Sequence, residues 1–174
     1  MATRAATHAD APAITAIYNE GIEDRTATFE TRPRTAAEVE GWIDGVHPVV
    51  VVERDGIVAG FANTSTYRPR DCYAGVAEFG VYVARSKRRL GVGREAMEAL
   101  VAAAEQAGFW KLVSRVFVDN PGSRTLLRTV GFREVGTYRR HARLDGAWRD
   151  VVIVERLLGA AAEPDTGPDP TPHA

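Results

Sequence analysis

The sequence predicts one α/β domain in which flanking helices cover a mixed, mostly antiparallel sheet. Three observations support this fold class. The chain has 174 residues, about one domain's worth, and a chain of this size buries roughly 70 % of the surface that its unfolded form exposes. Helical and strand patterns follow each other in the order βααβββαβαββ, without an internal repeat. The single cysteine, Cys72, excludes an internal disulfide framework or a zinc site built from cysteines.

Two helices are predicted before residue 47. The first follows Pro12, because proline is tolerated in a first helical turn. Its apolar residues recur at helical spacing and are Ile14, Ile17, Tyr18 and Ile22. The second begins with a capping box from Thr35 to Glu38. Its expected apolar stripe consists of Val39, Trp42, Ile43 and Val46.

The remaining elements run from residue 49 to residue 158. An Asp55–Gly56 turn joins two strands in a hairpin, and Asn120–Pro121 begins a helix with a cap followed by proline. Gly108 and Gly131 end the two later helices. The predicted strands are 49–52, 57–66, 76–83, 110–118, 132–143 and 151–158, and the later helices begin after Gly93 and at Asn120.

The net charge of −1 is distributed unevenly. Residues 159–174 contain four of the nine prolines, three acidic residues and no Lys or Arg, so we expect a disordered tail after a domain at 1–158. The domain then carries 22 basic and 20 acidic residues. No apolar run reaches the ~18 residues of a membrane span, and the N-terminus shows no hydrophobic signal segment. We therefore expect a cytoplasmic protein that binds neither a membrane nor nucleic acid.

A basic loop with two glycines lies between a predicted strand and a predicted helix. Gly91 and Gly93 allow the backbone to approach a ligand closely, and the helix start presents free N–H groups. The loop cations, with no acid among them up to Arg94, are Arg85, Lys87, Arg88, Arg89 and Arg94. This combination predicts a polyphosphate site, and the alternative is a solvated loop whose glycines only form turns. The loop is not a P-loop, because no Gly-Lys-Ser/Thr follows, nor a Rossmann fingerprint, because a third glycine is absent.

Arg88-x-x-Gly91-x-Gly93 resembles the coenzyme motif of the GNAT acetyltransferases, and Asn120-x-x-Ser123 resembles the second signature of that family. The resemblance covers residues 2–158 and implies a GNAT fold. It implies acetyl-CoA as the cosubstrate, with its pyrophosphate held by the loop amides, and no metal. The implied coenzyme-binding residues are Val81, Val83, Arg88, Arg89, Leu90, Gly91, Val92, Gly93, Arg94, Asn120 and Ser123.

Within that family, the chain is similar to the phosphinothricin, methionine sulfoximine and arsinothricin N-acetyltransferases. The segments that carry this similarity are 17–21, 28–31, 67–70, 77–83 and 146–150, and 108–111 and 138–141 resemble the arsinothricin branch most. The similarity implies that the enzyme acetylates the α-amino group of a small, glutamate-like amino acid. It also implies a homodimer.

Glu78 is the predicted general base, because an α-ammonium must lose a proton before its nitrogen attacks a thioester. Desolvation in the apolar strand VAEFGVYV makes a carboxylate a better proton acceptor, and the resemblance places the family's catalytic glutamate here. The alternative is a glutamate paired with a neighbouring arginine. Alternation puts Tyr82 on the same face, where it either protonates the departing thiolate or packs. The N–H of Val83 is the expected oxyanion donor.

Two positions depart from the resemblance. Leu127 stands where many relatives have a tyrosine that protonates the thiolate. Asp145 stands where the phosphinothricin enzymes have a histidine that is thought to assist catalysis, so either Asp145 takes over part of that role or Glu78 works without it. Cys72 has no nearby histidine or helix start to activate it, so we expect direct transfer rather than an acyl-enzyme.

Arg68-Pro69-Arg70 is the predicted substrate-binding segment. Proline favours extended geometry, in which Arg68 and Arg70 project to one side and bind an oxyanion or a carboxylate. The alternative is two solvated loop arginines. Phe29 and Tyr73 are expected to line the same pocket.

Three other functions stay open. In the first, the acceptor is another small amine or a peptide N-terminus, although a peptide needs an open groove. In the second, the chain is a non-catalytic acyl-CoA-binding module, and the presence of Glu78 argues against it. Nucleic-acid binding through the basic loop ranks last, because no aromatic residues are interleaved with its cations.

Overall fold

Seven strands form one sheet, and the computed structural model describes it within residues 2–163. The strands are β1 (Ala2–Ala5), β2 (Val49–Arg54), β3 (Ile57–Thr66), β4 (Val76–Val83), β5 (Lys111–Phe117), β6 (Arg133–Leu144) and β7 (Ala147–Leu157). Hydrogen bonds join them in the order β1-β2-β3-β4-β5-β7-β6. β4 and β5 run parallel, and every other neighbouring pair in the described residues is antiparallel. The predicted fold class is confirmed.

Helices cover both faces of this sheet. They are α1 (Ala11–Asp24), α2 (Ala36–Glu40), α3 (Val92–Gln106) and α4 (Pro121–Thr129). On one face, here called the α1 face, α1 and α2 bury Ile14 and Val39 against Phe61 of β3. On the opposite face, Leu100 of α3 and Leu127 of α4 lie in the larger core. The half of the α1 face formed by β5, β7 and β6 holds only a small cluster of Phe117, Leu144 and Val151.

The second predicted helix is shorter than its apolar stripe indicates. α2 ends at Glu40, and Val46 is 65 % exposed, so the prediction that the stripe continues to Val46 is wrong. The physical reason is a competing turn. The carboxylate of Asp44 accepts hydrogen bonds from the N–H groups of Val46 (2.8 Å) and His47 (2.7 Å), which ends helical pairing.

Two Asp-Gly turns connect the hairpins. Asp55 and Gly56 adopt φ of 55° and 77°, which confirms the predicted β2–β3 turn. Asp145 and Gly146 adopt φ of 47° and 79° and form an equivalent turn between β6 and β7. β7 therefore begins at Ala147, earlier than the predicted residue 151.

The parallel pair separates part-way along its length. β4 and β5 are paired from Val76 and Lys111 to Glu78 and Val113, and the ladder ends there. Beyond that point the hydroxyl of Ser114 donates a hydrogen bond to the Phe79 carbonyl at 2.9 Å. The remaining length of β4 keeps β3 as its strand partner and faces an opening on its other side.

After Leu158, residues Gly159–Ala162 form a short 3₁₀ turn. The rest of the predicted disordered tail, residues 164–174, lies outside the described residues. No helix within residues 2–163 is long and apolar enough to cross a membrane.

Candidate active site

The opening between β4 and β5 exposes backbone amides. The N–H of Ala84 donates to the Ala59 carbonyl of β3 at 3.0 Å. Because successive amides of a strand point in opposite directions, the N–H groups of Val81 and Val83 point away from β3 and into the opening. They lie beyond the last ladder pair with β5, so a ligand in the opening can accept hydrogen bonds from them.

A groove of about 430 Å³ leads from this opening to the start of α3 and is here called the glycine-loop groove. Gly91 has a φ of 81°, which turns the chain into α3, and a Cβ on Gly93 would lie 3.0 Å from Leu126. The predicted residues that line the groove are Val81, Val83, Arg88, Arg89, Gly91, Gly93, Arg94, Asn120 and Ser123. Two predicted residues lie elsewhere: the Leu90 side chain is 62 % exposed, and Val92 is buried in the core.

The loop cations meet acidic residues that are distant in sequence. Asp24 on α1 pairs with Arg85 (2.8 Å) and Arg88 (2.6 Å). Burial opposes ionisation of this carboxyl, but the hydrogen bonds from both arginines hold the pKa of Asp24 below its ordinary value. Lys87 and Arg94 also have carboxylate partners, Asp55 and Glu98. Among residues 2–163, Arg89 is the loop cation without a carboxylate within 4 Å, and its φ is 63°.

Asn120 joins α4 to the segment that follows α1. Its side-chain oxygen accepts a hydrogen bond from the Ser123 N–H, and its amide nitrogen donates to the Thr26 carbonyl, both at 3.0 Å. Asn120 therefore caps α4 and fixes one wall of the groove.

Glu78 lies on the α1 face together with Tyr82, as strand alternation predicts. The two side chains border two shared cavities of about 450 and 520 Å³. Both Glu78 carboxylate oxygens accept hydrogen bonds from Nη2 of Arg115, at 2.6 and 2.7 Å. The predicted alternative, a glutamate paired with an arginine, is thus present, but the Glu78 side chain is still 29 % exposed to a cavity.

Tyr82 is packed among aromatic rings between the groove and the Glu78 cavities. Its ring stacks on Phe61 at 5.4 Å and meets Tyr18 edge-on at 4.8 Å. Burial, reinforced by the neighbouring Tyr18 hydroxyl and the Glu30 carboxylate, raises the pKa of Tyr82 well above 10. The phenol therefore stays protonated at neutral pH, and it is a weaker acid than a solvent-exposed tyrosine. A Cβ on Gly21 of α1 would lie 2.8 Å from this ring.

A third cavity that borders Glu78, of about 650 Å³, lies on the β5–β7–β6 half of the α1 face and is here called the open-face cavity. Arg68 and Tyr73 line it, as does Arg115. The Arg68 guanidinium lies 5.4 Å from the Tyr67 ring, and no carboxylate within residues 2–163 pairs with it. Phe29 packs on Phe117 at 4.8 Å and lines the 520 Å³ cavity.

Arg70 does not accompany Arg68 into the cavity. The Arg70 N–H donates to the Arg68 carbonyl at 2.9 Å, which closes a tight turn at Pro69. The predicted extended geometry of this segment is therefore wrong, and Arg70 is not among the residues that line the open-face cavity.

Asp145 occupies the β6–β7 turn. Its carboxylate lies 2.9 Å from Nε of Arg25, and the residues that line the three cavities around Glu78 do not include it. The neighbours of Glu78 and Tyr82 to which the sequence assigns no role in the site are Arg115, Tyr18 and Glu30. Tyr18 and Glu30 lie in segments that carry the family similarity, but no local pattern links Tyr18 to Tyr82, or Glu30 and Arg115 to Glu78.

Residues 14–132 match the acetyltransferase (GNAT) family. The chain is a GNAT acetyltransferase. It is 34 % identical to the phosphinothricin N-acetyltransferase of Streptomyces viridochromogenes, over 92 % of this chain and 90 % of that protein. It is 30 % identical to an L-methionine sulfoximine/L-methionine sulfone acetyltransferase of Pseudomonas paraeruginosa, over 86 % of this chain and 90 % of the relative.

Solved structures agree with this assignment. A phosphinothricin acetyltransferase from Sinorhizobium meliloti in complex with acetyl-CoA superposes with a TM-score of 0.84 at 30 % identity, covering 97 % of this chain and 95 % of that one. A ribosomal-protein-alanine N-acetyltransferase from Brucella melitensis superposes with a TM-score of 0.86 at 31 % identity, covering 91 % and 100 %. The predicted family and acyltransferase activity are confirmed, and so is acetyl-CoA as a ligand of this fold in relatives.

A first prediction concerns Arg89, the loop cation that has no carboxylate partner among residues 2–163. Arg89→Gln should weaken acetyl-CoA binding about tenfold, because it removes the loop cation that no carboxylate neutralises. Lys87→Gln, which removes a cation already 3.6 Å from Asp55, should change the affinity by less than about twofold. Isothermal titration calorimetry measures both constants, and equal effects of the two substitutions would contradict this account of the loop.

Proposed function

We propose that this enzyme transfers the acetyl group of acetyl-CoA directly to the α-amino group of a glutamate-analogue amino acid of the phosphinothricin, methionine sulfoximine or arsinothricin type. The observation that carries the proposal is the meeting of two spaces at the end of the β4–β5 ladder. The glycine-loop groove reaches Tyr82 from one side, and the cavities that contain Glu78 reach it from the other. The groove and its amides fit the phosphates and the pantetheine arm of acetyl-CoA.

Glu78 acts as the general base in this proposal. Its carboxylate takes a proton from the α-ammonium of the acceptor, and the neutral amine then attacks the thioester carbonyl carbon. The N–H groups of Val83 and Val81 point into the opening and stabilise the oxyanion that forms there. Asp145, which is bound to Arg25 outside the Glu78 cavities, has no role in this scheme.

Tyr82 is the proposed proton donor to the leaving thiolate. It is protonated at neutral pH and borders both the groove and the Glu78 cavities. As the carbon–sulfur bond breaks, the phenol gives its proton to sulfur, and it regains a proton as the amide nitrogen loses its second one. Leu127, at the position of the tyrosine in other relatives, is fully buried in the core and supplies no proton.

The acceptor is proposed to lie in the open-face cavity. Phosphinothricin and arsinothricin carry a second anionic group at the end of the side chain, and methionine sulfoximine carries a neutral sulfoximine oxygen and nitrogen there. The Arg68 guanidinium, which has no carboxylate partner within residues 2–163, can donate hydrogen bonds to either kind of group. Tyr73 adds an apolar wall to this cavity, and Phe29 lines the neighbouring 520 Å³ cavity, which shares Glu78 and Arg115 with it. A cytoplasmic location is part of the proposal, and the exposed, free Cys72 is compatible with a reducing compartment.

A second candidate acceptor is a peptide N-terminus. The similarity to the Brucella ribosomal-protein-alanine N-acetyltransferase favours it, because the two chains share 31 % identity. A peptide α-ammonium would meet the same Glu78, but a main-chain amide would replace the α-carboxylate.

A thiol-release assay with acetyl-CoA tests the proposal. Phosphinothricin, methionine sulfoximine and arsinothricin should each release CoA faster than glutamate or an Ala-initiated peptide. Glu78→Gln should lower kcat by a factor of about 10²–10⁴, because the variant lacks the general base. Its affinity for acetyl-CoA should persist, because the glycine-loop groove is unchanged. Turnover of the peptide alone would establish the second candidate instead, and tight acetyl-CoA binding without turnover of any amine would leave only a binding module.

Arg68 makes a separate prediction about the acceptor. Arg68→Gln should raise the KM for phosphinothricin by about tenfold or more, because it removes a charge-assisted hydrogen bond to the distal oxyanion. Arg70→Gln is the matched control, one turn away and outside the cavity lining, and should raise KM much less. Steady-state kinetics at saturating acetyl-CoA measures both, and identical KM values for both variants and the wild type would exclude Arg68 as a substrate ligand.

We also propose a homodimer that forms through the β5–β7–β6 half of the α1 face, where Val135 and Tyr138 form the rim of the open-face cavity, so that the partner subunit borders the acceptor site. Val135, Tyr138 and Leu157 are 49 %, 55 % and 43 % exposed there, which is high for large apolar side chains beside a sheet core. Sedimentation equilibrium should give twice the chain mass, and Tyr138→Glu should shift the equilibrium toward monomer. A wild-type monomer throughout the micromolar range would contradict the proposal.

A further inference from the structure

Among residues 2–163, Arg115 is the one cation that contacts the proposed base directly. It lies on β5, two residues beyond the last ladder pair of β5 with β4, so its side chain crosses the opening to reach Glu78. Arg115 lines the open-face cavity and the 520 Å³ cavity, and its side chain is 45 % exposed. It is therefore accessible to an acceptor that has reached Glu78.

The hydrogen bonds of Arg115 use only part of its guanidinium. Nη2 serves both Glu78 oxygens, and neither Nη1 nor Nε has an acceptor among residues 2–163. Arg34 and Arg124 behave differently. Each binds its carboxylate, Glu30 or Glu134, through Nε and Nη2 together, which fills the usual two-nitrogen edge. Arg115 thus keeps an unfilled edge at the cavity while it holds Glu78.

We propose that Arg115 binds the α-carboxylate of the acceptor amino acid and selects α-amino acids over simple amines. In an α-amino acid one carbon separates the ammonium nitrogen from the carboxylate carbon. An ammonium at Glu78 therefore brings its own carboxylate next to the guanidinium that Glu78 already contacts. The free nitrogens of Arg115 supply the charge-assisted hydrogen bonds, and Glu78 keeps its contact with Nη2.

The pair of Glu78 and Arg115 then presents one negative and one positive group to a zwitterion. Arg68, in the same cavity, is left for the anionic end of the side chain. This assignment rests on the proposed function, because it concerns the acceptor of the same reaction. The assignment adds one prediction: an acceptor that lacks only the α-carboxylate charge should have a much lower kcat/KM than the corresponding amino acid.

The test compares two acceptors in two enzymes. The acceptors are L-phosphinothricin and its α-carboxamide, which has the same shape and amine but no α-carboxylate charge. In the wild type, kcat/KM should be at least tenfold higher for the acid than for the amide, and Arg115→Met should reduce that ratio to near one. Because both acceptors use Glu78, a weaker base in the variant lowers kcat/KM for both of them, whereas loss of the carboxylate contact lowers it for the acid alone. Arg115→Lys, which keeps the charge but not the planar edge, should restore part of the preference.

Arg124→Met is the control. It breaks the ion pair between Arg124 of α4 and Glu134 of β6, and neither residue lines the three Glu78 cavities. The ratio should therefore be unchanged in this variant. An equal loss of kcat/KM for both acceptors in Arg115→Met, with the wild-type ratio preserved, would overturn the assignment and make Arg115 a positioning residue for Glu78. Failure of the wild type to acetylate any amino acid would overturn the proposed function itself, so the two failures are distinguishable. Thermal unfolding of each variant confirms that it is folded.

Discussion

The early end of the β4–β5 ladder is the constraint on which the rest of the site depends. A parallel pair that continued past Glu78 and Val113 would use the amides of Val81 and Val83 for strand pairing. Because the strands separate instead, these amides are free, the groove reaches Tyr82, and Arg115 can cross to Glu78. Residues of both strands pack with α3 and α4 in the larger core behind this opening.

The sequence predicts most of the fold because its strongest signals are local. The Asp55–Gly56 turn, the Asn120 cap and the apolar strand that contains Glu78 each specify a conformation within a few residues. The predictions fail where two local signals compete. At the end of α2 an apolar stripe indicates more helix, but the Asp44 carboxylate captures the amides that the helix needs. A tight turn at Pro69 similarly replaces the extended segment expected between two arginines.

The sequence predicts the parts of the site that lie within a single strand or loop. It does not predict the contacts between elements that are distant in the sequence. Glu78 and Tyr82 share a face because strand alternation requires it, and the glycine loop lies at a helix start. The residues of that loop do not show that two of its arginines are paired with a carboxylate, since Asp24 lies more than 60 positions away from Arg85 and Arg88. Arg115 was missed for the same reason: its proximity to Glu78 comes from the pairing of β4 with β5.

Gly21 shows how closely the site limits changes elsewhere in the molecule. In the middle of a helix, replacement of glycine by alanine ordinarily stabilises a protein by about 1 kcal/mol, and a protein engineer seeking a more robust enzyme would choose α1 for it. Here the added methyl group would lie 2.8 Å from a ring already confined by Phe61 and Tyr18, so it would displace Tyr82 or push the helix outward. The helix thus gives up intrinsic stability at this turn to leave room for the phenol. Under the proposed role of Tyr82, thermostabilisation of α1 and retention of turnover are opposing goals at this position.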